Sequence, residues 1–104
     1  MAINVQTNGS VVRLTMTGRF DFKLHREFKD AYTSLLDNAA LREIEIDMHG
    51  IDYLDSSALG MLMLLNERAK TTGKSVSLVN PSNMVTQVLQ VANFDKLFTM
   101  KNAG

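Results

Sequence analysis

The spacing of apolar residues along this chain changes period several times, and each change marks an element. Ile3, Val5 and Thr7 alternate with polar residues, "NGS" supplies a turn, and Val12, Leu14 and Met16 alternate again. Period two on both sides of a turn predicts a hairpin of two strands. From Leu24 the period becomes helical: Leu24, Phe28, Ala31 and Leu35 share a stripe, while Lys23, Arg26, Lys29 and Asp30 fall largely off it. This helix is expected to end near Asp37-Asn38. "REIEIDM" returns to period two through Ile44, Ile46 and Met48, and His49-Gly50 reads as a turn. The apolar run that begins at Ala58 and closes in "NERAKTTGK" predicts a second helix, followed by a strand in "SVSLVN". Pro81 suits the first turn of a third helix, where the N–H it lacks would be unpaired, and Met84, Val88 and Val91 supply that helix's stripe. A short last strand is expected near Phe98 to Met100.

The order β-β-α-β-α-β-α-β implies an α/β fold with a mixed sheet of about five strands and helices packed on it. No repeat, linker or low-complexity segment interrupts it, so residues 1–104 read as a single domain. If strands two and three run parallel across helix one, their exit loops emerge at the same sheet edge, where such folds place their sites. The loop "TGRFD" then lies near "YLDSS", and Asp21 becomes a neighbour of Asp55 and Ser56.

Composition narrows what that edge can do. The chain has 104 residues, and a domain of that size buries roughly two-thirds of the surface its unfolded chain exposes. Eleven basic and eleven acidic residues cancel, leaving no cationic excess to neutralise nucleic-acid phosphates or anionic lipid. The absence of cysteine removes disulfides, thiolate metal sites and thiol nucleophiles. No basic region followed by an apolar core opens the chain, and no stretch reaches the length of a membrane span. The expectation is a cytoplasmic protein without membrane insertion, nucleic-acid partner, metal or cofactor.

Asp55, Ser56 and Ser57 stand directly before an apolar run, and such residues have two readings. In the structural one, a Ser or Asp oxygen accepts a hydrogen bond from a free N–H of the first helical turn, contributing about 1 kcal/mol. In the chemical one, a hydroxyl is a reactive group. A hydrolase nucleophile is poorly supported, because "LDSSA" lacks a glycine-flanked elbow and only His25 and His49 could act as the base. Two carboxylates brought near by loop placement, Asp21 and Asp55, are thin support for magnesium or acid/base chemistry. The chain does not read as an enzyme. On helix two, a rotation of about 100° per residue puts Ala58, Leu62 and Ala69 on one arc and Gly60, Leu64, Glu67 and Arg68 on the other, with Met61 at the border. Gly60, Met61 and Leu64 are candidates for a partner-docking patch beside Ser56.

The segment "IDYLDSSALGMLMLLNERAK", preceded by "IEIDM" and "LTMTGRFD", resembles the signature of the STAS domain family, the sulphate-transporter and anti-sigma-factor-antagonist domains. The similarity rests on D-S-S-[GA]-L-G after a strand, on T-G-x-[LF]-D closing strand two, and on an order of elements that covers nearly the whole chain. Ala58 stands where many relatives have glycine, and the chain ends at Gly104 without the additional C-terminal helix of many members. For stand-alone members the resemblance implies phosphorylation of the serine immediately after the aspartate, here Ser56, by a serine kinase that often doubles as an anti-sigma factor. A serine phosphatase reverses it, and another regulatory protein can be a further partner. Ser57 is assigned to capping and local hydrogen bonding, and Asp21 to orienting the acceptor hydroxyl. Replacing Ser56 with Ala is accordingly expected to remove a helix cap. The alternative implied by the same resemblance is a non-switching accessory subunit of an ABC transporter ATPase, with helix two as a permanent interface.

Overall fold

The computed structural model describes residues 3–102. The first two strands, β1 (Ile3–Asn8) and β2 (Val11–Phe20), form the expected antiparallel hairpin. Its two-residue turn is set by Gly9, whose φ of 63° lies in the region that glycine enters without a Cβ clash. A 3-10 turn (Phe22–Leu24) leads into α1 (His25–Leu36), followed by β3 (Glu43–Leu54), α2 (Ser56–Thr71), β4 (Ser75–Val79), α3 (Asn83–Val91), the short α4 (Phe94–Leu97) and β5 (Thr99–Lys101). No helix follows β5 among the described residues. The sheet order is β1-β2-β3-β4-β5, parallel from β2 onward. Each parallel step moves one strand in the same direction through a helical connection. Right-handed crossovers of that kind lay all the helices on one face.

Under that face lies one core. Paired rows such as Val12, Ile44 and Val76, or Leu14, Ile46 and Leu78, point toward the helices and are almost fully buried. The opposite face is polar and holds itself together. Arg13 on β2 pairs with Glu45 (3.0 Å) and Asp47 (3.5 Å) on β3, and Lys101 on β5 reaches across β4 to Glu43 and Glu45. Desolvation pushes the Glu43 carboxyl up, but the Lys101 ammonium and the Ser77 hydroxyl that donate to it hold it below the usual carboxylate value. The Lys101 ammonium is raised in turn, chiefly by its hydrogen bond to Glu43.

Four local readings of the sequence are corrected. His49 and Gly50 are not a turn: they lie inside β3, which is twelve residues long. Thr15 pairs with Asp47 but Thr17 with Gly50, so β3 carries an extra residue there, the two-against-one arrangement of a bulge. A Cβ on Gly50 would stand 2.8 Å from Thr17 Cγ2 and 3.1 Å from the Met16 carbonyl oxygen, which is why the bulge holds a glycine. In α1 the buried stripe is Phe28, Tyr32 and Leu36, continued from Leu24, with Ala31 and Leu35 only half-buried. Aromatic contacts select it: Phe28 packs on Phe20 (5.2 Å between centroids) and edge-on to Tyr32 (5.3 Å). Burial pushes the Tyr32 phenol up, and the nearby Arg68 charge offsets part of that. In α3 the core residues are Val85 and Leu89, not Met84 and Val91, which are exposed, while Val88 is half-buried. Ser82 caps this helix by accepting from the Val85 N–H, so Pro81 lies before the cap and outside the first turn.

Candidate functional site: the sheet edge at the start of α2

The ends of β2 and β3 are in register, with Phe20 opposite Leu54, both buried. The next residue on each strand is an aspartate, and the two do the same work. Asp21 is in extended conformation and its Oδ1 accepts from the Lys23 N–H (3.1 Å), starting the 3-10 turn. Asp55 is also extended and its Oδ1 accepts from the Ala58 N–H (3.0 Å), starting α2. The Asp55 N–H donates to the Phe20 carbonyl (3.4 Å), tying the two exits together. Asp21 is therefore brought to the same edge as Asp55 and Ser56.

This geometry reassigns the cap. Asp55 closes the first turn of α2, and Ser56 and Ser57 are its first two residues, with Ser56 exposed and Ser57 half-buried. Neither serine hydroxyl has a hydrogen-bond partner among the described residues. The expectation that Ser57 caps, and that Ser56→Ala removes a cap, is overturned. A carboxylate preceding the first helical residue occupies the position from which a side chain reaches the N–H three residues on.

Both histidines have partners elsewhere. His25 stacks on Phe22 with centroids 6.0 Å apart, and His49 Nδ1 lies 3.9 Å from Asp47 Oδ1. Among the described residues no group of three or more His, Cys, Asp or Glu is placed to hold a metal ion, and no helix is long and apolar enough to cross a membrane.

The outward face of α2 carries Gly60, with open space where a Cβ would stand, and Leu64, 39% exposed. Met61 is not on it. At 7% exposure it belongs to the buried stripe Ala58, Met61, Leu62, Leu65 and Ala69, which follows helical i, i+3, i+4 and i+7 spacing. Met63, 38% exposed, is the methionine that this helix leaves open, whereas the sequence reading set Met61 at the border of the two arcs and in the docking patch.

Two features escaped that reading. Leu59, one turn beyond Ser56, joins Gln87, Val88 and Val91 of α3 and Ala92 at its C-terminal cap around an apolar hollow of about 330 Å³. Its signal was present in the two adjacent apolar stripes of α3, of which only one can face the core. At the ends of β2 and β3, the Arg19 guanidinium lies 4.1 Å from the Tyr53 ring centre and its Nε is 3.5 Å from Asp21 Oδ2. Arg19, Asp21, Lys23 and Glu27 line a second hollow of about 360 Å³. Only the pairing of β2 with β3 brings Arg19 to Tyr53, a contact that linear sequence spacing does not encode.

A family model described as the Mlab STAS domain matches residues 3–100. A STAS-domain containing protein of Pseudomonas aeruginosa is 40% identical over 91 residues, covering 88% of each chain. An anti-sigma-factor antagonist (STAS) domain protein of Planctomyces limnophilus has the same fold, with a TM-score of 0.86 at 20% identity over 98% of this chain and 91% of that one. The Bacillus cell fate determinant SpoIIAA in its phosphorylated form superimposes with a TM-score of 0.78 at 17% identity, covering 99% of this chain and 92% of that one. The anti-sigma factor antagonist SpoIIAA in its unphosphorylated form gives the same TM-score.

Proposed function

This chain belongs to the STAS domain family, and from that premise we propose that it is a phosphorylation-controlled partner-switching regulator of the anti-sigma-factor-antagonist type, with Ser56 as the acceptor. The observation that carries the reading is the division of labour at the start of α2. Asp55 supplies the cap, so the exposed Ser56 hydroxyl is spared any structural duty. A kinase transfers the γ-phosphoryl group of ATP to Ser56 Oγ, leaving ADP and releasing the hydroxyl proton, and a phosphatase returns the serine by hydrolysis. The chain is the substrate of both enzymes. That a protein of this fold has been solved both with and without its phosphate supports the fold's tolerance of the modification.

The electrostatics give the switch its direction. The first turn of α2 offers free N–H groups and the positive end of the helix dipole, which favour an anion. The phosphate adds about 1.5 to 2 negative charges beside Asp55 and Asp21. A partner seated on the neutral serine and on Gly60 and Leu64 then meets repulsion and a desolvation cost that it did not meet before. Phosphorylation in this reading changes binding and leaves the fold intact. The partner is a serine kinase that doubles as an anti-sigma factor, released when Ser56 is phosphorylated.

Calorimetric titration of wild type, Ser56→Ala and Ser56→Asp against that kinase tests the reading. Ser56→Ala should bind about as well as unmodified wild type. Ser56→Asp, with a single charge in place of the phosphate, should bind at least about tenfold more weakly, a loss of about 1.4 kcal/mol. Equal affinity of the two variants would remove the charge switch and favour a permanent subunit of a transporter ATPase.

A further inference from the structure

We propose that the outer edge of β1 pairs with β1 of a second copy of this chain, forming a two-fold dimer in which the two five-stranded sheets become one. The proposal does not depend on Ser56 or on its modification. It starts from a contrast between the two edges of the sheet, which are β1 and β5. Strand edges expose unpaired N–H and C=O groups, and proteins that stay apart blunt them with short strands, lysine, proline or bulges. The β5 edge has two of these protections: it is three residues long and carries Lys101. The β1 edge has none. Its six residues, INVQTN, include no charge and no proline, and it pairs with β2 without a register shift.

The phase of the hairpin decides which groups face outward. Asn8 and Val11 close a two-residue turn whose first central residue, Gly9, has φ 63°, and a pair in that position exchanges both backbone hydrogen bonds. Counting back by twos, Asn8, Gln6 and Asn4 turn their N–H and C=O groups toward β2. Ile3, Val5 and Thr7 turn theirs to the open edge. Val5 is 48% exposed although its partner across the pair, Leu14, is fully buried, so the edge also has an apolar side chain with no neighbour strand to cover it.

This strand is complementary to itself. An antiparallel pairing about a two-fold axis at Val5 sets Val5 against Val5 of the second copy and Ile3 against Thr7, all on the helix side. Asn4 then faces Gln6 on the polar side. Every outward N–H and C=O of Ile3, Val5 and Thr7 finds a partner, and no like charges meet. The axis is normal to the sheet, so the helices of both copies stay on one side and the two α2 starts point to opposite ends. Each Ser56 remains open, and the dimer is bivalent for whatever docks there.

Sedimentation velocity of the untagged full chain, from about 10 µM to about 1 mM, provides the test. The expected result is a shift from monomer to dimer with concentration, with amide exchange at Ile3, Val5 and Thr7 slowing in parallel. Val5→Pro deletes the N–H at the axis while sparing the bonds to β2, and Val5→Lys places two ammonium groups face to face. Both should keep the wild-type circular dichroism and dimerise at least tenfold more weakly. If Val5→Pro fails to fold, Val5→Lys alone decides. A chain that stays monomeric throughout, as it would if this edge served a strand of a different protein, overturns the proposal. A dimer that Val5→Lys leaves unchanged overturns it equally.

Discussion

Asp55 and Ser56 are adjacent, yet the structure gives the helix cap to the Asp55 carboxylate alone, where a linear reading assigns it to a serine hydroxyl. The Asp55 carboxylate accepts from the Ala58 N–H, whereas Ser56 projects from the first turn without a hydrogen-bond partner among the described residues. Removing each side chain should therefore have different effects. Asp55→Ala loses the cap and should destabilise the domain by about 1 kcal/mol, lowering Tm by about 4 to 8 °C for a chain of this size. Ser56→Ala should stay within about 0.5 kcal/mol of wild type. Thermal unfolding of both variants is the check, and a larger loss for Ser56→Ala would return the cap to the serine. Which of three consecutive polar residues caps a helix was not legible in the sequence. All three can accept the bond, and only the strand register that fixes Asp55 beside Phe20 decides where the helix begins.

At the scale of elements, the places where the sequence reading holds and fails have a common cause. Where apolar residues alternate with polar ones, as at Val12, Leu14 and Met16, one face is specified and the strand follows. Where two apolar residues stand side by side, as at Met84-Val85 or Met61-Leu62, two stripes compete and packing decides between them. In α1 the choice falls on Tyr32 because its ring completes an aromatic row with Phe28 and Phe20. The bulge at Gly50 was illegible for another reason: a glycine after a histidine reads as a turn until the partner strand shows Thr17 pressed against it. The rotation of α2 carries a prediction of its own. Met61→Lys puts an ammonium into the core and should cost about 2 to 4 kcal/mol. Leu64→Lys, on the outward face, should change stability by no more than about 0.5 kcal/mol. Urea unfolding of the two variants separates them, and the reverse order would mean that α2 is turned differently.

At the scale of the whole molecule, the sheet separates two tasks. Its helix side holds the core, and its polar side is stitched across strands by Arg13, Lys101 and three carboxylates. The edge where β2 and β3 end is left to present Ser56, with Asp21 and Asp55 beside it and the α2 face beyond. Much of that site was legible because the parallel pairing of β2 and β3 follows from the order of elements and brings "TGRFD" to "YLDSS". The hollow between α2 and α3 was not, since it depends on which stripe of α3 turns inward. The central claim is that Ser56 is the modified residue, and site-localised mass spectrometry of the chain isolated from its native cells tests it most directly. The expected result is one phosphate per chain, on Ser56, with an occupancy that changes between growth conditions. Phosphate on Ser57 instead, or a chain unmodified under every condition sampled, would contradict the account.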